Sequence, residues 1–214
     1  MTALEGALLS TLVGVPFGIA ASFAAWYIVF RGFVPKFKFS DEINKVPGLV
    51  AGEPPRYRVK FINVGWRDAI DVDVYSRLRI RNLSQVPEYL NTWTIVTLSS
   101  DTTHEPKVPK GGSRMVVLGL DETAELEKPM FKRALDGRAT TLENLFSLGK
   151  EAELVVWVLA YDEFSGARKG FISKHYHLDD IREGRFGGSS GIDIVPININ
   201  DGSSPVAAPD VRNG

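Results

Sequence analysis

A mostly apolar run without charge extends from Gly6 to Phe30, and after Pro35 apolar residues begin to alternate with polar ones. The two patterns predict different elements. GALLSTLVGVPFGIAASFAAWYIVF (6–30) carries no charge. A hydrocarbon core of about 30 Å needs roughly 20 helical residues, so this run predicts a transmembrane helix. Trp26 and Tyr27 near its end suit the membrane interface. A cleaved signal peptide would need the basic leader that MTALE lacks, and a buried helix would keep a polar stripe.

Beyond Pro35 the period is two. In YRVKFIN, Tyr57, Val59 and Phe61 alternate with Arg58 and Lys60. In AIDVDVYSRLRIRN, Ile70, Val72, Val74, Leu78 and Ile80 form one face, with Asp71, Asp73, Arg77, Arg79 and Arg81 on the other. Such alternation marks strands with one buried and one wet face. The link NVGWRDA (63–69) predicts a hairpin between these two strands. Further strands are expected at 36–43, 92–98, 114–120 and 153–161, and the turn DEFSG (162–166) leads into another at 167–178. One helical insertion is predicted, with Thr140 as N-cap, Glu143 three residues on and Gly149 as a stop. PMFKRAL before it reads as a further short helical turn.

These elements give a mainly β fold: an N-terminal transmembrane helix, then an immunoglobulin-like antiparallel β-sandwich with a short helical insertion. The expected organisation is a short extracytoplasmic tail (1–5), the membrane helix (6–30), a juxtamembrane linker (31–35), the sandwich (36–186) and a flexible tail (187–214). Within that tail, IDIVPININ alternates enough to dock as an edge strand.

Charge sets the orientation. Only Glu5 precedes the apolar run, whereas Arg31, Lys36 and Lys38 follow it with no acid before Asp41. The positive-inside rule places the N-terminus outside and the sandwich in the cytoplasm; inverted, the sandwich would be an extracytoplasmic adhesion or envelope module. Ser10, Gly14, Gly18 and Ser22 recur every four residues and form a ridge of small side chains, a surface on which two such helices can pack in lipid. That makes a homo-oligomer through the helix one expected partner state, beside the bilayer itself.

Composition narrows the function. The net charge of −1 gives no case for nucleic acid. The absence of cysteine excludes disulfides and thiol chemistry. His175 and His177 in KHYHLDDIREGRF invite a metal reading with Asp179, Asp180 or His104 as a further ligand, and hence a membrane-anchored metal-dependent enzyme. The bland reading is a strand whose Tyr176 and Leu178 face the core, leaving the histidines and Ser173 on the surface and the aspartates capping a turn. No nucleophile elbow, phosphate loop or zinc-protease helix occurs. The sequence therefore implies no catalytic residue, cofactor or metal. The basic row Arg77, Arg79 and Arg81 is the candidate contact for an unknown protein partner.

Two stretches carry a resemblance. RYRVKFINVGWRDAIDVDVYSRLRI resembles the early hairpin of the cytoplasmic immunoglobulin-like domain of inward-rectifier potassium channels. ELVVWVLAYDEFSGARKGFISKHYHLDDIREGRF resembles its late hairpin, with Ile181, Gly184, Arg185 and Phe186 at the matching end. The chain has one apolar span rather than two and no Thr-x-Gly-Tyr-Gly filter. The resemblance thus implies a membrane-tethered cytoplasmic sandwich and no ion-binding residue.

Overall fold

A computed structural model of the chain describes residues 3–28, 34–48, 53–83, 92–100, 103–188 and 191–196, with side chains from Thr11 onward. The apolar run forms one helix, α1 (Ala3–Tyr27), which contains Pro16. Every described side chain from Thr11 to Ile28 is exposed, with Phe17 at 78% and Leu12 at 77%. Among the described residues, no helix is long and apolar enough to cross a membrane. The transmembrane assignment of 6–30 therefore does not follow from the fold.

The rest is mainly β. The strands are β1 (Phe37–Phe39), β2 (Ile43–Val46), β3 (Arg56–Asn63), β4 (Ala69–Arg81), β5 (Trp93–Ser100) and β6 (His104–Val108). They continue with β7 (Ser113–Gly119), β8 (Glu151–Asp162), β9 (Arg168–Ile172) and β10 (Ile181–Glu183). Hydrogen bonding follows the path β10-β2-β3-β7-β5-β4-β8-β9, with β1 also on β3 and β6 also on β4. Strand β5 is where the path changes layer. Trp93 to Leu98 pair with Arg81 to Ser76 of β4, whereas Ser99 and Ser100 pair with Gly119 and Leu118 of β7. One sheet thus holds β10, β2, β3, β7 and β1, and the second holds β9, β8, β4, β5 and β6. Their inner faces share one apolar core, in which Tyr57, Val59 and Phe61 join Leu78, Ile80, Leu154 and Val156. The architecture is sandwich-like.

Alternation located most strands but not every pairing. β3 and β4 do not form a hairpin; they belong to different sheets, so 63–69 is a crossover between layers. The cause is local. Asn63 is fully buried, and its side chain donates to Arg67 O (2.7 Å) and Val108 O (3.2 Å) while accepting from the amides of Gly65 (3.0 Å) and Lys36 (3.3 Å). Its own amide donates to Gly112 O, and its carbonyl accepts from Gly111 N. Three segments of one loop cluster together satisfy every polar group of Asn63. At Gly65 a Cβ would lie 2.5 Å from Val34 O and Lys36 N, so only glycine admits the incoming chain there.

Other departures follow from local chemistry. HEPKV forms β6 although Pro106 makes it read as loop; pairing only with β4, it tolerates the missing donor. In β4 the register shifts between Ile70 and Asp73, and Asp71 takes the left-handed conformation (φ 51°). This bulge turns Ala69 rather than Ile70 inward and restores the inward set from Val72 onward. Lys60, expected on the wet face, is only 4% exposed because the chain past Phe186 crosses over it. Its ammonium donates to Gly188 O (2.8 Å) and Gly191 O (2.7 Å). That segment forms a small hairpin of β11 (Arg185–Phe186) and β12 (Ile194–Val195), so the boundary set at residue 186 falls inside it. IDIVPININ contributes its first residues to this hairpin rather than to an edge of the large sheet, and the tail beyond 196 lies outside the described residues.

The helical insertion comprises α2 (Pro129–Leu135) and α3 (Leu142–Phe146). Thr141, one residue later than expected, caps α3 by accepting from Asn144 N (3.2 Å). Gly149 is more than a stop, because a Cβ there would lie 2.3 Å from Arg81 O. Glu143 fastens α3 to the first sheet. It accepts a hydrogen bond from the buried Tyr57 hydroxyl and pairs with Lys45 at 2.9 Å. Burial raises the Glu143 carboxyl, but hydrogen bonds from Tyr57 and Lys45 outweigh it and hold the group below its ordinary value. Burial, reinforced by the hydrogen bond to Glu143, pushes the Tyr57 hydroxyl up.

Two outcomes are expected. Asn63→Ala strands four backbone partners, those at Gly65 and Val108 buried, and is expected to cost about 2–4 kcal/mol in urea unfolding of the full chain; a loss under about 0.5 kcal/mol would show that water replaces the amide. A depressed carboxylate stabilises above its unfolded pKa, and that stability is lost as pH falls through the folded value. Stability should therefore decline below the ordinary Glu143 value of 4.5. In a pH series of melting curves Glu143→Gln should flatten that decline, the buried Asp162 and half-buried Asp180 carboxylates, also depressed, keeping part of it.

Candidate functional site

Outward positions of the second sheet line up in rows, because residues opposite one another across strands share a face. Arg81 lies between Glu151 and Trp93, Arg79 between Glu153 and Ile95, and Arg77 between Val155 and Thr97. Tyr75 faces Trp157, which faces Ile172 on β9. The basic row singled out from sequence therefore forms one ridge of a mixed face, with acids along one side and apolar or aromatic groups around it.

The three arginines differ. Arg81 pairs with Glu151 at 3.1 Å. Arg79 is held hardest, with Glu153 at 2.8 Å and its guanidinium 4.7 Å from the Trp93 ring centre. Glu153 also meets His175 Nδ1 at 2.5 Å. Arg77 is exposed and, among the described residues, has no hydrogen-bond or ion-pair partner. It borders a cavity of about 230 Å³ with Arg79, Ile95, Trp157, Ile172 and His175. Ile95 (57% exposed) and Ile172 (50%) stand open beside it. A free planar donor fork between exposed aliphatic and aromatic groups can grip a carboxylate or backbone carbonyl of an apolar segment. Nothing in it activates a nucleophile.

The histidine pair is not brought together with further ligands. His175 Nδ1 meets Glu153, and His177 Nδ1 meets Ala152 O at 3.2 Å. His177 N donates to Asp180 Oδ2 at 2.8 Å, opening a 3-10 turn over Leu178–Asp180. Asp179 is exposed on that turn, and His104 faces Asp71 and Asp73 beside the β4 bulge. Among the described residues, no group of three or more His, Cys, Asp or Glu is placed to hold a metal ion. Two sequence expectations here are corrected. Ser173 is buried, because its hydroxyl accepts from Val156 N (3.0 Å) and donates to Lys174 O (2.7 Å). Leu178 is exposed, because the 3-10 turn ends the alternation that buries Tyr176.

The remaining candidates lie elsewhere. Gly14 and Gly18 have open space around them, and the Ser22 hydroxyl donates back to Gly18 O at 2.8 Å. The side chain of Ser10, and all of Arg31, lie outside the described residues. Lys36 and Lys38 are exposed on either side of Phe37. Sequence reasoning missed the apolar half of the face: Tyr75, Trp93, Ile95, Trp157 and Ile172. The signal was available, since Tyr75 shares the parity of Arg77, and Trp93 and Ile95 share theirs in β5.

No protein-family model matches the chain, and no curated protein does. Among solved structures, a similar one is Spo0M, a sporulation control protein from Bacillus subtilis. It is 16% identical over 67% of this chain and 49% of that one, with a TM-score of 0.32. The chain thus spans about half the length of that structure. A likeness this distant bears on neither fold nor function.

The half-buried Arg79–Glu153 pair gives a test of how the face is organised. A double-mutant cycle of Arg79→Ala and Glu153→Ala is expected to return a coupling of about 0.5–1 kcal/mol, near the top of the range for surface pairs. A coupling near zero would mean that Trp93 packing, rather than charge, holds Arg79.

Proposed function

We propose that this is a non-enzymatic, single-pass membrane-anchored protein whose immunoglobulin-like sandwich is a cytoplasmic binding or assembly module. The observation that carries the binding reading is the outer face of the second sheet, where unpaired Arg77 stands among exposed apolar side chains. Tyr75, Trp93, Ile95 and Ile172 are all exposed there, a grouping of large apolar side chains of the kind that marks interaction surfaces. The anchor reading is supported by α1, whose exposed side chains are apolar on every side, a pattern that water does not tolerate but lipid does. Arg31, Lys36 and Lys38 support the cytoplasmic orientation. The open ridge of Gly14 and Gly18, with Ser10 and Ser22, supports pairing of two helices. The antiparallel pairing of all strands but β10 on β2 supports the immunoglobulin-like class.

One experiment in intact cells tests these readings together. A full chain carrying a photo-crosslinking residue at Ile95 should stay with membranes through alkaline extraction. Its C-terminal tag should be digested only after the cells are opened. Its adduct should be discrete, lost on Arg77→Glu, and absent when the crosslinker is at Lys150. Release by alkali would overturn the anchor, and tag digestion in intact cells the orientation. Identical adducts from positions 95 and 150, or none, would overturn the face.

A further inference from the structure

The end of the sandwich where the chain enters from α1 is a cluster of loops. Four segments converge there: 34–36, 63–68, 107–112 and 162–167, tied by Asn63, by Lys110 N donating to Asp68 (2.8 Å) and by the Arg67–Asp162 pair (3.4 Å). Their tips are apolar and open, with Val64 53%, Trp66 66% and Phe164 68% exposed. Each ring carries a cation over its face: the Lys110 ammonium is 4.7 Å from the Trp66 ring centre, and the Arg67 guanidinium 4.2 Å from that of Phe164. Large apolar rings at loop tips, each backed by a long basic side chain, are the chemistry of a membrane interface.

Covalent geometry adds the position. Val34 is buried against this loop cluster, and α1 with its attached residue ends at Ile28. Even fully extended, residues 28 to 34 span no more than about 20 Å. If α1 lies in lipid, this end cannot leave the neighbourhood of the headgroups. The opposite end of β4, at Arg81, is about 40 Å away along the strand.

We propose that Val64, Trp66 and Phe164 form a rim that docks the sandwich onto the bilayer interface. The inference rests on the anchor reading of α1. The occupant is the lipid surface itself, and the contact is apolar rather than electrostatic. Around the rim Lys36, Arg67, Lys107 and Lys110 face Asp68, Asp162 and Glu163, and Lys107 is already paired with Asp68 (2.8 Å) and Glu163 (3.0 Å). So small a charge excess gives anionic lipid little to grip, and zwitterionic lipid should suffice. Docking fixes the tilt of the sandwich, so that the face around Arg77 looks sideways along the membrane rather than toward it.

The chain has no cysteine of its own, which makes single labels clean. Full-length Phe164→Cys, Val64→Cys and Lys150→Cys chains, each carrying an environment-sensitive fluorophore, would be reconstituted in phosphatidylcholine vesicles and floated. At 164 and 64, iodide in the water should quench about twofold less than at 150, and headgroup nitroxide lipid should quench more. Adding Trp66→Ser should restore iodide access at 164. Co-flotation with equal iodide quenching at 64, 164 and 150 would overturn the rim and leave the anchor standing. Failure to float would overturn the anchor and the rim with it. Protection that appears only with phosphatidylglycerol would overturn the apolar mechanism.

Discussion

The buried amide of Asn63 closes the entry end of the sandwich, and much else is placed by it. A side chain with two donors and two acceptors must find partners for all four or lose the cost of desolvating them. Here the partners are backbone groups of Lys36, Gly65, Arg67 and Val108, which belong to the incoming chain, the crossover loop and the end of β6. Because these groups are fixed to one point, the chain is steered from β3 into the opposite sheet instead of turning back beside it. The same point sets where the entering segment meets the domain. One residue's hydrogen bonding thus ties the incoming chain, the crossover loop and the end of β6 together.

The second sheet shows how a face can be apolar without collapsing. Its exposed aliphatic and aromatic side chains are interleaved with the Arg79–Glu153 and Arg81–Glu151 pairs, which keep the surface hydrated and in register. Arg79 serves both needs, spending its charge on Glu153 and its flat face on Trp93. Arg77 lacks such a neighbour because its cross-strand partners are Val155 and Thr97. The row that looks uniform in sequence is therefore two structural arginines and one available one, and only the identities on β5 and β8 distinguish them.

What the sequence reveals follows from how local each interaction is. Period-two alternation marked β3 and β4 and apolar runs marked β5, β7 and β8, whereas β6 and β10 were not expected; DEFSG gave the β8–β9 hairpin because Asp162 caps its own turn through Ser165. The pairing of β3 with β4 was misread because NVGWRDA looks like a hairpin loop, and the partners of Asn63 at 36 and 108 are invisible from positions 63 to 69. The inward residue at the start of β4 was misassigned because a one-residue bulge at Asp71 leaves no compositional mark. Lys60 read as wet because its cover, the chain near Gly188 and Gly191, comes about 130 residues later. Alternation also set the histidine pair opposite Tyr176, which the structure buries.

The two proposed contacts constrain each other. A sandwich held by a helix alone could present any face to any neighbour, and a partner would pay orientational entropy on binding. A rim seated at the headgroups removes most of that freedom before a partner arrives. With the loop end down, β4 and β8 rise from the membrane, and the Arg77 face points along its plane. If both proposals hold, a partner itself confined to the membrane would fit such a face, since a chain held at the same height needs only to diffuse in two dimensions and rotate about one axis. In this arrangement the apolar helix, the aromatic rim and the open arginine perform separate steps of one recognition event: confinement, orientation and contact.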